Sequence, residues 1–387
     1  MEPLEYQGKH ASCKVFTDSV DGNVVQQIYG FLNSPVFSGC AIRVMPDVHA
    51  GKGAVVGFTS PMGDTVIPNV IGVDIGCGVA AVPLTGVSKG EVNFKAFDKY
   101  LRTSVPAGFK VRGTANRKLG TLFKQHVSDR HPLWPDFERT VNALSEKVGD
   151  DPDRTWLSCG TLGGGNHFIE IGRDEDSHDL WLVVHSGSRH FGLAIAQYHQ
   201  RVATNNMGPR GGLAWLEGDE AQAYLTDMRV AQMFAHLNRI IMLDALAAYF
   251  EVPLEGLVQS VHNFIGDDNV IRKGAISAHE GEDVIIPWNM RDGIVLGVGK
   301  GNADWNNSAP HGAGRKMSRS AARKRLDLGA FRKTMKEAGV WTSCVSKTTL
   351  DEAPGAYKAP VNITAFLGET VRVTAQLKPV YNFKAGT

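Results

Sequence analysis

The chain has 387 residues, 43% of them hydrophobic, which is enough for one large domain or two ordinary ones. Its 41 basic and 40 acidic side chains give a formal net charge of +1, so a polyanion would have to bind a local basic surface. The five cysteines are scattered, which argues against a disulfide framework. The polar N-terminus argues against a secretory signal, and the lack of an apolar run of about 20 residues argues against a membrane helix. We therefore expect a cytoplasmic protein with free thiols.

The predicted elements indicate an α+β protein. Three short apolar runs, 70–74, 180–185 and 257–262, are predicted as strands that end on a potential metal ligand, and helices are predicted over 221–250 and 317–338. No alternation of strands and helices suggests a doubly wound sheet. We expect a single large domain over 1–387, with mixed short strands and glycine-rich loops around a central metal cleft flanked by helices. Residues 94–153 are rich in charge and are interpreted as a variable helical insertion.

A dense polar block at 45–53 contains Asp47 and His49 among glycines. It could support metal ligands from behind, or it could be an ordinary polar turn.

Asp74 and Cys77 lie three residues apart in the glycine-rich turn 73–78. Aspartate offers a hard oxygen and cysteine a sulfur with several lone pairs that can bridge two cations. A lone buried cysteine is more often a small core residue. That second interpretation applies to the remaining cysteines, Cys13, Cys40, Cys159 and Cys344.

The block 163–170 reads GGGNHFIE. In a strand, alternation would send His167 to one face and Asn166 and Glu170 to the other. His167 could then face a metal while Asn166 and Glu170 face a second ligand. The block could equally be a glycine turn before an ordinary strand with Glu170 in solvent.

His185 and His262 each end an apolar run, and Arg189 follows His185 in a Ser-Gly-Ser-Arg turn. The guanidinium fork of Arg189 suits a phosphate oxyanion. Each histidine alone is more often a hydrogen-bonded structural residue than a ligand. Three histidines beside an Asp-x-x-Cys turn nevertheless predict a centre for zinc, manganese or iron.

His311 lies between a proline and glycines in the segment 308–315. A neutral imidazole held there could attack phosphorus directly, but it could also be another metal ligand or a turn residue. Arg315, Arg319 and Arg323 follow at four-residue intervals on one face of a predicted helix. That face could bind a phosphate backbone or be a solvated charged surface.

Taken together, these motifs resemble those of the RtcB-type RNA-splicing ligases, a family of 3′-phosphate/5′-hydroxyl RNA ligases. The resemblance spans nearly the whole chain and is carried by the segments that begin at Asp47, Asp74, Asn166, His185, His262, Pro310 and Asp351 and by the C-terminal Lys384.

The resemblance implies a ligase that uses GTP and two Mn²⁺ ions. The implied metal ligands are Asp74, Cys77, His167, His185 and His262. Cys77 would bridge the ions, and His311 would attack the α-phosphorus of GTP and carry the guanylate. The guanylate would pass to an RNA 3′-phosphate, formed where needed from a 2′,3′-cyclic phosphate, and a 5′-hydroxyl would then displace GMP.

The resemblance also implies how the substrates bind. The implied nucleotide contacts are Asn166, Glu170, His311, Tyr357 and Lys384, and the implied RNA phosphate contacts are Arg189, Arg315 and Arg319. Glu170 would accept the hydrogens on guanine N1 and N2. The RNA would be a tRNA or ribosomal RNA fragment, in repair or tRNA splicing, and an activating protein partner would be compatible with this role.

The sequence departs from the family pattern near the nucleotide pocket. Residues 287–293 read PWNMRDG instead of a Pro-Gly-Ser-Met type turn, His190 and Phe191 replace Gly-Leu, and the chain ends KAGT instead of Lys-Gly. These changes indicate a divergent branch in which the predicted ligands and nucleophile are kept. Two other functions remain open: a metal-dependent phosphoesterase that forms no covalent nucleotide, and a non-catalytic RNA-binding protein with a structural metal.

Overall fold

The structure is a computed structural model that describes residues 2–127, 134–208 and 213–386. Most of its strands belong to two sheets. The outer sheet has six strands, in spatial order Leu4–Gln7, Ser12–Val15, Ala41–His49, Val56–Pro61, Val270–Lys273 and Asn263–Ile265. The central sheet has seven, in spatial order Val258–Val261, Gly78–Pro83, Leu180–Ser186, Phe168–Asp174, Val371–Lys384, Gly293–Gly299 and Asp283–Asn289. Two strand pairs complete the set, Ala275–Ser277 with Ser308–Pro310 and Thr65–Val66 with Leu216–Glu217.

Helices flank these sheets. The α-helices of the described residues are Gly22–Leu32, Pro68–Ile71, Phe94–Ser104, Leu119–His126, Trp134–Val148, Pro152–Ser158, Arg189–Met207, Gly218–Ala247, Arg319–Arg325, Leu328–Glu337 and Pro360–Leu367. Short 3₁₀ turns are Pro35–Phe37, Lys89–Glu91, Ala248–Phe250, Ala303–Trp305, Lys347–Glu352 and Pro354–Ala356. Among the residues that the structure describes, no helix is both long enough and apolar enough to cross a membrane.

One long helix, Gly218–Ala247, links the two main cores, and we call it the central helix. Phe234 and Leu237 belong to the core beneath the outer sheet, whereas Met242 and Leu246 belong to the core on one face of the central sheet. Because apolar residues occur all around this helix, it is buried on most sides instead of presenting one stripe. The predicted α+β class and the predicted helix 221–250 are confirmed.

Two element predictions are wrong. Residues 70–74 form no strand, because the helix Pro68–Ile71 begins with a proline in its first turn and ends at Gly72, whose φ is 91°. The predicted helix 317–338 is two helices, since the Asp327 side chain accepts a hydrogen bond from the Ala330 amide (2.7 Å) and starts a second helix there.

The other strand predictions are confirmed as Leu180–Ser186 and Val258–Val261, with His262 directly after the second. The segment 94–153 contains helices, as expected, although residues 128–133 of that prediction lie outside the described residues. Whether this segment varies as an insertion stays a prediction.

Candidate metal centre and active site

The central sheet brings four predicted ligands to one edge. The strand Gly78–Pro83 is antiparallel to Leu180–Ser186 and to Val258–Val261, and Leu180–Ser186 is antiparallel to Phe168–Asp174. The first residues of two strands and the last residues of the other two therefore meet. The side chains placed there, just before, within or just after these strands, are Cys77, His167, His185 and His262.

The four side chains form one cluster, which we call the Cys–His cluster. The Cys77 sulfur lies 3.4 Å from Nε2 of His167 and 3.3 Å from Nε2 of His185. Nε2 of His185 lies 3.4 Å from Nε2 of His262, and Nε2 of His167 lies 3.0 Å from Oδ2 of Asp74. All five predicted metal ligands are thus brought together, and the ligand atoms of Cys77, His167 and His185 lie close enough for one metal ion to bind all three.

The electrostatics of the cluster fit a cation site. Nδ1 of His167 donates to the Leu162 carbonyl (2.8 Å), which leaves the Nε2 lone pair facing the cluster. Burial lowers the pKa of His185 and of His262 well below the usual histidine value, so both rings are neutral. Burial and the nearby Asp74 carboxylate raise the pKa of the Cys77 thiol well above its usual value, so its thiolate requires positive charge beside it. Neutral imidazoles, a carboxylate and a buried sulfur are a donor set that suits divalent transition metals.

The central helix packs against the turns that carry this cluster, a contact that the sequence did not predict. Nη1 of the fully buried Arg239 donates to the Gly76 carbonyl (2.8 Å) and the Ser186 carbonyl (3.0 Å), which joins the turns that carry Cys77 and His185. The helix approaches so closely that a Cβ on Gly76, whose φ is 70°, would lie 2.9 Å from the backbone of Gln232.

His311 lies beside the cluster and has a buried aspartate partner. Its ring is 4.8 Å from that of His262, and its Nδ1 lies 2.6 Å from Oδ2 of Asp47, which is fully buried. Since a carboxylate only accepts, Nδ1 carries the proton and donates it, and the lone pair is on Nε2. The block 45–53 therefore supports His311, whereas the sequence suggested that it supports the metal ligands.

A cavity of about 830 Å³ opens over the cluster. Predicted residues on its wall are Asp74, Cys77, Asn166, Glu170, His185, His262, His311, Arg315, Arg319, Tyr357 and Lys384. Alternation holds within the strand Phe168–Asp174, because Glu170 faces the cavity while Ile169 and Ile171 enter the core behind the sheet. His167 precedes this strand and lies in the Cys–His cluster, so strand alternation does not determine its direction, contrary to the prediction.

Glu170 carries an acceptor without a partner at the cavity wall. Its Oε2 accepts a hydrogen bond from Asn382 (2.7 Å), but its Oε1 has no hydrogen-bond partner among the described residues. Burial raises the pKa of Glu170 to about 8, although Asn382 and Lys384 oppose the shift. The unpaired Oε1 is open to a bound ligand, and the raised pKa means that the free carboxyl group is mostly protonated at pH 7.

Glu352 binds two of the predicted nucleotide contacts, although the sequence analysis did not select it. Its Oε2 accepts from the Tyr357 hydroxyl (2.5 Å) and from Lys384 (2.9 Å), and its Oε1 lies 3.2 Å from Arg315. Burial disfavours its charge, but Lys384 and the nearby arginines hold its pKa below the usual value. Its place beside Asp351 in the motif at 351–358 was the available signal.

The three arginines predicted to bind RNA phosphates have different surroundings. Arg189 donates to the Thr161 hydroxyl (2.9 Å) and the Gly108 carbonyl (2.8 Å) and does not line the cavity. Arg315 lies before the helix, bound to Glu352 and to a backbone carbonyl. Arg319, with 44% of its side chain exposed, lines the cavity. The RNA role of all three stays a prediction, and the shared helical face holds only for the residues after 318.

Lys273 is a further cavity residue that the sequence did not single out. It ends the strand Val270–Lys273, and no hydrogen bond or ion pair holds its ammonium within the described part of the chain. Burial lowers its pKa to about 8, and the nearby Asp74 and Cys77 oppose that shift. A cation at this place is available to an anionic ligand in the cavity.

A Cys–His cluster beside an aspartate-bound histidine is typical of metal-dependent enzymes that act on charged substrates. The comparisons with known proteins narrow that class. The sequence model described as tRNA-splicing ligase RtcB matches residues 28–385. The chain is 32% identical over 404 residues to RNA-splicing ligase RtcB1 of Escherichia coli ATCC 25922, covering 96% of this chain and 97% of the relative.

RNA-splicing ligase RtcB of Escherichia coli K12 is similar to the same degree, at 32% identity over 96% of this chain and 97% of the relative. The tRNA-splicing ligase RtcB of Thermococcus kodakarensis is 26% identical, over 87% of this chain and 86% of the relative. The chain belongs to the RtcB family.

Replacing Asp47 tests the link between Asp47 and His311. In Asp47→Asn the amide can donate to Nδ1, which moves the ring proton to Nε2 and removes the reactive lone pair from the cavity side. We expect nucleotide transfer to His311 to slow by about 100-fold or more, by analogy with other buried Asp–His pairs. Metal content should stay at the wild-type level, as measured by elemental analysis. A variant that is labelled at the wild-type rate would contradict this positioning role.

Proposed function

We propose that the protein is an RNA ligase that joins a 3′-phosphate or 2′,3′-cyclic phosphate end to a 5′-hydroxyl end through a guanylylated His311. The observation that carries the proposal is His311 itself. Asp47 fixes its Nδ1–H, and Nε2 has no hydrogen-bond partner among the described residues. It lies beside His262 of the Cys–His cluster and lines the same cavity as Glu170.

In the first step, the Nε2 lone pair of His311 attacks the α-phosphorus of GTP. A phosphorus–nitrogen bond forms, the bond from the α-phosphorus to its bridging oxygen breaks, and pyrophosphate leaves. The carboxylate of Asp47 stabilises the positive charge that develops on the ring, because Nδ1–H remains bonded to it.

The guanylate then passes to the RNA. An oxygen of the RNA 3′-phosphate displaces Nε2 from phosphorus, and the RNA end becomes an activated diphosphate linkage. The 5′-hydroxyl of the second RNA attacks the 3′-phosphorus, its proton is lost, and GMP leaves as the strands join. A 2′,3′-cyclic end is first opened by water to the 3′-phosphate.

The donor set supports Mn²⁺ as the metal, with two ions as the resemblance implies. Asp74, Cys77, His167, His185 and His262 would hold them. When bound, the ions supply positive charge that stabilises the phosphate groups during displacement.

Glu170 supports a preference for guanine. Guanine presents adjacent N1 and N2 hydrogens, and the free Oε1 of Glu170 together with its Oε2 can accept them, whereas adenine presents no such pair. Tyr357 and Phe168 give the pocket aromatic surface, and Lys384 lies 5.2 Å from the Phe168 ring centroid.

The charged residues on the cavity wall support RNA ends as substrates. Lys273 and Arg319 place cations at separate parts of the wall, so two phosphate groups can be neutralised at once. The proposed substrates are fragments of tRNA or ribosomal RNA in the cytoplasm. An activating protein partner is compatible with such a site.

One assay tests the proposal. RNA halves that carry 3′-phosphate and 5′-hydroxyl ends are incubated with the protein, Mn²⁺ and either GTP or no nucleotide, and the products are separated by size. We expect joined RNA only with GTP and Mn²⁺. Opening of a 2′,3′-cyclic phosphate without any joining, at all nucleotide concentrations, would indicate a phosphoesterase and overturn the proposal.

The raised pKa of Glu170 predicts how nucleotide affinity depends on pH. Because the pKa of the free protein's carboxyl group is about 8, it is mostly neutral at pH 7, while guanine donors bind the carboxylate. GTP affinity should therefore rise as pH rises, by about tenfold or more between pH 6.5 and 8.5. Binding is measured with the His311→Ala protein, in which no covalent product forms.

Glu170→Gln provides the comparison. It should bind GTP roughly 10- to 100-fold more weakly and lose both the pH dependence and the preference over ATP, since glutamine offers one acceptor and one donor group. A rise in affinity with pH that persists in Glu170→Gln would assign the titration to another group.

A further inference from the structure

Phe109 is almost completely exposed at the tip of a loop. Its exposed fraction is 94%, and it is the only large exposed hydrophobic side chain among the described residues of 94–127. It occupies a turn in which the Lys110 amide donates to the Ala107 carbonyl and Gly108 has a φ of 69°. Single exposed hydrophobic side chains are common on protein surfaces, so the surroundings of the ring decide whether it has a binding role.

The loop that carries Phe109 is fixed on both sides. The Gly108 amide donates to the Gly163 carbonyl (2.8 Å), and Arg189 donates to the Gly108 carbonyl (2.8 Å). On the other side, Arg112 donates to the carbonyls of Cys159 (3.2 Å) and Gly160 (2.9 Å). The exposed ring is therefore presented by an anchored turn, in which little conformational entropy remains to be lost on binding.

The same anchors connect the loop to the metal centre. The Leu162 amide donates to the Pro106 carbonyl (2.9 Å), and the Leu162 carbonyl accepts from Nδ1 of His167. Arg189 also packs against Gly163, where a Cβ would lie 2.1 Å from its guanidinium. Phe109 thus has a fixed position relative to His167, although it lies outside the cavity.

The sequence on both sides of Phe109 is basic, although Arg102 and Lys118 pair with Asp98 and Asp244. Between Asp98 and Asp129 the chain has no acidic residue but seven lysines and arginines, in a protein whose net charge is only +1. Lys110 and Arg117 are exposed and have no ion pair or hydrogen bond from their side chains within the described ranges. A fixed aromatic ring beside free cations is the combination by which proteins bind single-stranded nucleic acid, since bases stack on the ring and phosphates meet the cations.

We propose that Phe109 is a stacking platform for an unpaired base of the RNA strand whose end lies in the cavity, with Lys110 and Arg117 as its phosphate contacts. This inference rests on the proposed function for the identity of the ligand. Arg189 then serves RNA binding as a positioning residue for the Phe109 turn. A protein partner would be expected to need a larger apolar surface than one isolated ring beside cations.

The test measures binding of fluorescein-labelled single-stranded RNA with a 3′-phosphate by anisotropy, with Mn²⁺ and without GTP. Stacking of one base predicts that Phe109→Ala binds roughly 5- to 100-fold more weakly. Phe109→Trp should bind as tightly as wild type or more tightly, and Phe109→Leu should resemble alanine because it has no aromatic face. Thermal unfolding should be unchanged in all three, because the ring is exposed.

Val361→Ala is the matched control, since Val361 is also hydrophobic and 68% exposed. Wild-type affinity in Phe109→Ala would overturn the proposal and assign the ring to another partner, and wild-type affinity in Phe109→Leu would overturn stacking as the mechanism. The covalent labelling of His311 by GTP is measured separately. A wild-type protein that binds RNA through Phe109 but is never labelled would refute the proposed ligation and leave the stacking result intact.

Discussion

His311→Ala is expected to abolish covalent labelling of the protein by GTP that carries its label on the α-phosphate, and to abolish RNA joining. The physical reason is that, in the proposed reaction, Nε2 of His311 supplies the electron pair that forms the phosphorus–nitrogen bond, and alanine has no such atom. Labelling should fall below detection, a loss of at least about 1000-fold. The label on wild type should be released by acid, as expected for a phosphoramidate.

The control is a histidine that also has an aspartate partner but lies outside the cavity. His190 places its Nδ1 3.0 Å from Asp150, as His311 does with Asp47, but 63% of the His190 side chain is exposed. His190→Ala should be labelled at the wild-type rate. Full labelling of His311→Ala would show that another residue carries the nucleotide.

Cys77→Ala is expected to lose tightly bound metal. The sulfur lies within 3.4 Å of two imidazole nitrogens and is the one soft donor of the set, so its removal leaves the cluster without the donor that lies next to both rings. Loss of a ligand should weaken metal binding by on the order of 100-fold or more, since even outer residues contribute 10- to 100-fold. Metal content after dialysis is measured by elemental analysis, and ligation should be lost with it.

Cys159→Ala separates this effect from the general cost of removing a buried thiol. Cys159 is fully buried but is not part of the Cys–His cluster, so its replacement should lower stability slightly and leave metal content unchanged. Wild-type metal content in Cys77→Ala would show that the cluster holds no metal through its sulfur.

The candidate metal centre could be predicted from the sequence because most of its side chains lie at or beside strand ends. A strand that ends on a histidine places that side chain at a sheet edge whatever the rest of the fold does, and the antiparallel order then brings His185 and His262 together. Asp74 follows a short helix that Pro68 begins, and not the strand that the sequence predicted, but its carboxylate still lies 3.0 Å from His167.

Hydrogen bonds between residues far apart in the sequence could not be predicted from it. Asp47 and His311 are 264 positions apart, and Arg239 meets Gly76 and Ser186 across more than one element, so no local pattern announces these hydrogen bonds. Arg189 was assigned by its chemistry to phosphate, which the guanidinium fits, but the same fork also fits backbone carbonyls. A sequence specifies which groups a side chain can bind, and only the fold decides which of them it meets.

The position of the last strand has a consequence for protein synthesis. Val371–Lys384 lies inside the central sheet and pairs with a strand on each side. One neighbour is Phe168–Asp174, which lies next to the strands of the Cys–His cluster, and the other is Gly293–Gly299. The last strand also carries Lys384 into the cavity. A ribosome synthesises this strand after the other described strands, so the two parts of the sheet are joined only late in synthesis. Folding of the site therefore depends on residues 371–384.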